Sequence, residues 1–342
     1  MSSISGQIAI LNEITLQFAR ISQIILLILG FFGLTLNTII FTRKSFKTNS
    51  CTLYFLGSTL ANYFVIYFVL TSRLLSDGYQ IDPGTYSIIY CKIRFYTYYT
   101  TKSLASWCIV LACVDRFLSS SRNIHYRQFC RVKIARYVIC ITSLICALFY
   151  VHVLVYFNIQ TNRTCDAPPG FYGIFSDVFY LIGYSIIPPL LMCIFGVWTV
   201  CNRHNTRHRQ IVPDITYRRL LKKDQQAMIM LLTQCILIAL TTIPHAIQKL
   251  YVTLTLTTLK SPYQQAQDSL FSQVVRSISF VNHSCTFYIL TLFGRTFRKE
   301  LIKLFRAMTQ FCSKRTNIQN AHSITAMTEQ RNIHIVLKGK KN

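Results

Sequence analysis

The sequence predicts an all-α membrane protein: a seven-transmembrane helix bundle with a short amphipathic eighth helix. Three observations carry this reading. Hydrophobic residues make up 52% of the 342 and charged residues only 14%, less charge than a soluble chain of this length carries. The apolar residues gather into seven runs, each near the ~20 residues a helix needs to cross a bilayer. The basic residues concentrate between alternate runs, as positive-inside topology requires.

The runs are about Ile21–Phe41, Leu53–Ser72, Tyr96–Val114, Tyr137–Phe157, Val178–Val200, Ala227–Ile247 and Phe271–Phe293. The first is too long for the apolar core of a secretory leader and has no basic stretch before it, so it reads as a span. The third ends at Asp115-Arg116-Phe117, and Cys91 precedes Arg116 by 25 residues. At 1.5 Å per residue that is roughly 37 Å, one bilayer with its interfaces. Pro188, Pro189 and Pro244 fall inside the fifth and sixth runs, which membrane bundles tolerate. After the seventh, Phe297, Leu301, Leu304, Phe305 and Met308 recur at helical spacing among Arg298, Lys299, Lys303 and Arg306. That pattern predicts a helix lying on a membrane surface. The chain thus divides into an outer N-terminus (1–20), the transmembrane domain (21–293), the juxtamembrane helix (294–309) and a polar, basic tail (310–342) expected to be disordered.

About three quarters of the 36 Lys and Arg lie in the Arg43 loop, the Arg116–Arg136 loop, the Arg203–Lys223 loop and the tail. This side is expected to face the cytoplasm, with the N-terminus outside a multi-pass protein of the plasma membrane. The net charge of +25 raises nucleic acid as a partner. The basic residues are dispersed between spans, however, so attraction to membrane lipid accounts for them and no nucleic acid is expected. The 13 cysteines show no CxxC or Cys/His metal spacing, and neither a metal nor a cofactor is expected. Asn162-Arg163-Thr164 is a glycosylation sequon on the outer side. Asn282-His283-Ser284 also fits, but inside a predicted helix. Cys312 follows the amphipathic helix and is a candidate for palmitoylation, with an unmodified thiol the alternative.

In order and spacing these features resemble the rhodopsin-like family of G-protein-coupled receptors, over about residues 20–308. Asn37 matches the family's first-helix asparagine, Cys91 its third-helix cysteine and Asp115-Arg116-Phe117 its Asp-Arg-Tyr motif. Pro188 and Pro244 match the fifth- and sixth-helix prolines, and Phe297-Arg298-Lys299 the start of its eighth helix. The resemblance implies that Arg116 is the switch, held at rest by Asp115 and by Asp224, which lies 20 residues before Pro244. It also implies a Cys91–Cys165 disulfide tethering the loop between the fourth and fifth spans. The plainer alternative for Arg116 is a guanidinium reaching lipid phosphate.

Several family residues are replaced. Asn62 stands where an acid is usual, Thr242 replaces the sixth-helix tryptophan, and Thr286-Phe287-Tyr288-Ile289-Leu290 replaces Asn-Pro-x-x-Tyr. Phe287 for the proline, with Asp224-Gln225-Gln226 opening the sixth helix, resembles invertebrate neuropeptide receptors of the FMRFamide type.

Tyr98, Lys102, Ala105, Ile109 and Arg116 share one stripe of the third helix. If Arg116 faces the bundle, Tyr98 and Lys102 do too. An ammonium roughly 16 Å below Cys91 is expensive and marks a functional site by default. Arg276, His245, Gln248 and Tyr251 continue the expected pocket, and Asp177 is the one carboxylate expected near it. Two cations favour a ligand with an anionic or strongly accepting group near Lys102 and Arg276. The alternative is a Lys102 solvated in the cavity or bonded to backbone carbonyls. An arginine-bearing peptide would instead need Asp177, Asp82 or Asp268. The position of Tyr98 lacks the acid of amine receptors, and Phe280 stands where an opsin's lysine would be.

The resulting expectation is a cell-surface receptor with no enzymatic activity. A short peptide or small molecule enters the bundle, and a heterotrimeric G protein engages Arg116 and the basic loop of Arg203, Arg207, Arg218 and Lys223. Two alternatives stand beside it: a seven-helix relative that has lost coupling and serves as a scavenger or partner subunit, and a transporter or channel.

Overall fold

The computed structural model describes residues 2–43, 46, 48–121, 123–161, 163–207, 215–255, 258–295, 297–306 and 309–310, with the side chains of 2–3 and 203–227 also outside that description. Two compact units divide the chain at Gly294. In the first, the long helices are α1 (Ser2–Phe41), α2 (Ser50–Gly78), α3 (Ile88–Ser120), α4 (Val132–Tyr156), α5 (171–207), α6 (Ile215–Leu254) and α7 (Pro262–Phe293). α1 packs along α7, α2 against α3, α5 against α3 and α6, and α6 against α7.

Six of these helices, α1 to α6, are long and apolar enough to cross a membrane, the build of a multi-pass membrane protein. α4 shows the consequence most plainly. Tyr137, Ile141, Leu144 and Leu148 are 73, 56, 61 and 62% exposed on one face. Such a stripe is a liability in water and ordinary against lipid tails. α7 is long but less apolar, because Gln273, Ser277, Ser279, Asn282, His283 and Ser284 interrupt it. All six are buried inside the bundle, so its polarity is directed at other helices rather than outward.

Side chains set the helix starts. The Asn49 side chain accepts from Cys51 N at 3.1 Å to open α2, and Ser87 accepts from Tyr90 N at 3.3 Å to open α3. Ser261 accepts from Gln264 N with Pro262 in the first turn of α7. Residues 181–186 of α5 form a wider π-type turn. Pro188 and Pro189 cannot donate to the preceding turn, and the helix relaxes there. α2 widens in the same way at Val65–Leu70 and Leu74–Gly78.

The structure departs from the sequence expectation in several places: the seventh run, Phe271–Phe293, is not among the six helices apolar enough to cross a membrane, and α3 to α7 begin before their predicted runs. Residues 2–20, expected as a short outer segment, extend α1 as continuous helix. α2 runs on past Ser72 to Gly78, where Arg20 Nε donates to the Gly78 carbonyl at 2.5 Å and joins the middle of α1 to the end of α2.

Between α4 and α5, β1 (Asn158–Ile159) pairs antiparallel with β2 (Cys165–Asp166), and Cys165 is disulfide-bonded to Cys91 at the start of α3. In the second unit residues 297–306 are helical, with Lys303 Nζ 2.8 Å from Glu300 and Phe305 half exposed.

Candidate functional site

The predicted stripe of α3 is buried throughout: Tyr98, Lys102, Ala105, Ile109 and Arg116 are all at most 6% exposed. Lys102 is fully buried. Its ammonium donates to Ser279 Oγ at 3.0 Å and sits 4.7 Å from the ring centre of Tyr98 and 4.1 Å from that of Phe280. Among the described residues no carboxylate pairs with it.

Ser279 in turn donates to the Arg276 carbonyl at 2.7 Å. This begins a polar column along α7 at the 3–4 residue spacing of one helix face. Arg276 Nη1 meets Asp77 of α2 at 2.8 Å. Ser279 receives Lys102 of α3. His283 bonds Asn62 of α2 at 2.8 Å and Tyr184 of α5 at 3.1 Å. Thr286 receives Gln234 of α6 at 3.3 Å. The column ties four helices to α7.

Charge pairing corrects the expected pocket. Asp177 was expected as the only carboxylate near it, but Asp77 is there too and pairs with Arg276, with Arg73 at 3.8 Å. Arg276 is therefore not a free cation. Asp177 is buried and bonded to Lys249 Nζ at 2.5 Å and to the Thr253 hydroxyl, so it is committed within the chain. Lys249, which sequence reasoning passed over, also reaches the Tyr99 hydroxyl. Gln248 donates to Ser272 at 2.9 Å. His245 is buried with Nδ1 unpartnered among the described residues, while Tyr251 is 39% exposed with Lys260 over its ring.

Asp82, in the turn before α3, holds Arg94 at 2.8 Å and accepts from Gly84 N and Ser76. Burial alone would raise its carboxyl, but Arg94 and these hydrogen bonds hold it below the usual range. A depressed carboxylate stabilises the fold above its unfolded value near ~4 and loses that contribution as pH falls through the folded value. Asp82→Asn is therefore expected to lower the melting temperature at pH 7. The gap to wild type should close on acidification below about pH 4. A gap that persists unchanged there would show that Asp82 acts by packing rather than charge.

A cavity of about 650 Å³ opens between α1, the end of α2, the α6–α7 connection and α7. Of the expected ligand residues only Arg276 lines it; Tyr98, Lys102, Asp177, His245, Gln248 and Tyr251 do not. Its wall includes Asn12, Thr15, Leu16 and Ala19, one face of the helical extension that the sequence did not predict.

At the far end of α3, Arg116 Nη2 lies 2.6 Å from Asp115 and 3.0 Å from Asn49 Oδ1. Asn49 thus caps α2 and holds Arg116 with one side chain. Phe117 turns instead toward α5, packing on Phe195 and Trp198. Asp224, Arg218 and Lys223 are within α6 and Arg203 and Arg207 at the end of α5, so part of the expected basic loop is helix; their side chains lie outside the described residues, as do Asn162 and Cys312. Among the described residues no group of His, Cys, Asp and Glu could hold a metal ion. No family model matches the chain, and no curated protein does.

Proposed function

We propose that this chain is a cell-surface receptor of the rhodopsin-like, G-protein-coupled kind. In this reading α7 is the seventh crossing, the Cys91 end of α3 faces outward and the Arg116 end faces the cytoplasm. One observation carries the reading. α3 is joined near its middle to the cavity-lining turn of α7 through Arg276, Ser279 and Lys102. Toward its Ser120 end it carries the Asp115–Arg116–Asn49 cluster. A ligand that favours a different setting of the α7 turn biases α3, and the cluster at the far end opens. Freed Arg116 then meets an inserted G-protein segment. No bond is made or broken; the function is a shift between two arrangements of one bundle.

The column on α7 stands where the family's usual relay residues are replaced. His283, Asn62 and Tyr184 take over the centre of the bundle as a hydrogen-bonded set, so loss of the usual residues is compatible with coupling.

The test is ligand-free signalling at matched surface level. Asn49→Ala removes one hydrogen bond to a charged group, worth roughly 1.5–3 kcal/mol, and loosens the Arg116 cluster. Asp224→Ala removes the acid implied by the resemblance. Each is expected to raise basal G-protein activation several-fold, and adding Arg116→Ala should abolish the rise. A flat response across a full panel of G proteins, with every variant at the surface, would sink coupling and favour a scavenging or partner role.

A further inference from the structure

We infer that the cavity between α1, α2 and α7 takes a short peptide with both ends unblocked, about three to four residues long, its carboxylate held at Arg276 and Gln273 and its ammonium at Asp268. The inference rests on the receptor reading for the peptide's role, not for its binding.

The cavity volume of about 650 Å³ falls within the roughly 300–1,000 Å³ of small-molecule sites. Its wall carries charges of both signs at two separate poles. At one, Asp77 is shared by Arg276 at 2.8 Å and Arg73 at 3.8 Å, two cations to one carboxylate. That pole keeps a positive excess and suits an anion. Gln273 belongs to the same pole. The residue is 95% buried by its 5% exposure, it lines the cavity, and its Nε2 has no hydrogen-bond partner among the described residues. A buried amide left without an acceptor is costly, and a ligand carboxylate beside Arg276 supplies one.

At the other pole Asp268 pairs with Lys260 at 2.6 Å. Its side chain is 26% exposed, against 15% for Asp77 and 3% for Asp177, so it is the carboxylate with most room for a second cation. Lys260 lies in the α6–α7 connection and can share or yield the contact. Asp268 and Arg276 are eight residues apart on α7, about 12 Å along the axis. An extended peptide of three to four residues covers roughly 10–14 Å. Ser269 and Ser272 lie between the poles and offer hydroxyls to its amides. Leu16, Ala19 and Val252 supply apolar wall for its side chains. A singly charged ligand, such as a peptide blocked at one end, would leave one pole unmatched, and a peptide blocked at both ends would leave both.

The experiment uses the full chain in lipid nanodiscs. It is incubated with an equimolar library of tri- and tetrapeptides bearing free ends, and separately with the same library N-acetylated or C-amidated. Retained peptides are counted by mass spectrometry. Free-ended peptides should be retained at least about tenfold over either blocked set. Asp268→Asn should erase discrimination against N-acetylation while keeping that against C-amidation, and Gln273→Leu should weaken retention of all free peptides. Equal retention of free and blocked peptides, or none by wild type, overturns the inference. The blocked libraries test it even if a variant does not fold. Retention is read without a G protein, so the two proposals fail separately. Failure here beside an intact Arg116-dependent basal signal removes only the peptide. Retention without any such signal removes only coupling.

Discussion

Replacing Lys102 with methionine is expected to make the protein more stable and, on the receptor reading, silent. The ammonium is fully buried and has no carboxylate partner among the described residues. Removing an ion from water costs several kcal/mol even after relaxation. One hydroxyl and two ring faces return part of that cost. Methionine keeps the length of the side chain and makes favourable sulfur–ring contacts of its own. Replacing buried ionic groups by apolar ones of similar volume gains about 1–4 kcal/mol where they were poorly compensated. Lys102→Met should therefore raise the melting temperature of the purified protein. It also cuts the link from α3 to Ser279, so ligand-driven signalling should be lost while surface expression holds or rises. A lower melting temperature would show that the ring and hydroxyl contacts outweigh desolvation, and Lys102 would then be a structural residue. Stability given up for a buried charge is the trade expected at a working site.

Lys249→Ala should act in the opposite direction. Asp177 is 2% exposed, and apart from Lys249 its bonded partner is the Thr253 hydroxyl. Stranding one member of a buried pair costs about 3–5 kcal/mol, enough to remove a large share of a domain's ~5–15 kcal/mol. Thermal unfolding of the single variant should show a large fall. The double change Lys249→Ala with Asp177→Asn should recover much of it, because the uncompensated charge is gone. The cycle of the two single changes and the double measures the coupling directly. Losses that simply add would mean the pair is not coupled, and Lys249 would matter for its packing on Tyr99.

These two lysines show how differently the sequence treats residues of one type. Lys102 stood out because it falls on the helical stripe through Arg116, and a period of 3.6 residues needs no partner to be read. Its burial followed from that geometry. Lys249 did not stand out. It lies just past the apolar run ending near Ile247, where a lysine ordinarily reaches toward solvent or headgroups. α6 continues to Leu254, and that extra length carries Lys249 to Asp177 of α5. Asp77 was missed for the same reason. It lies beyond the predicted end of α2 at Ser72, and only the wide turns that extend the helix to Gly78 bring it to Arg276. The cavity was missed because one side of its wall is α1 residues 12–19, which carry too few apolar residues to read as a span.

What the sequence by itself determined is therefore what depends on local pattern. The first six apolar runs, the prolines within them and the inward face of α3 all follow from hydropathy and helical period. What only the tertiary structure decided is which charge meets which. Arg276 and Asp77 are 199 residues apart and meet at 2.8 Å, and Lys102 meets Ser279 across 177. A hydrogen bond is made or lost within about an ångström. One extra helical turn moves a side chain about 5.4 Å. Helix ends, wide turns and the packing of neighbours set those last ångströms, and they are properties of the assembled bundle rather than of any one segment.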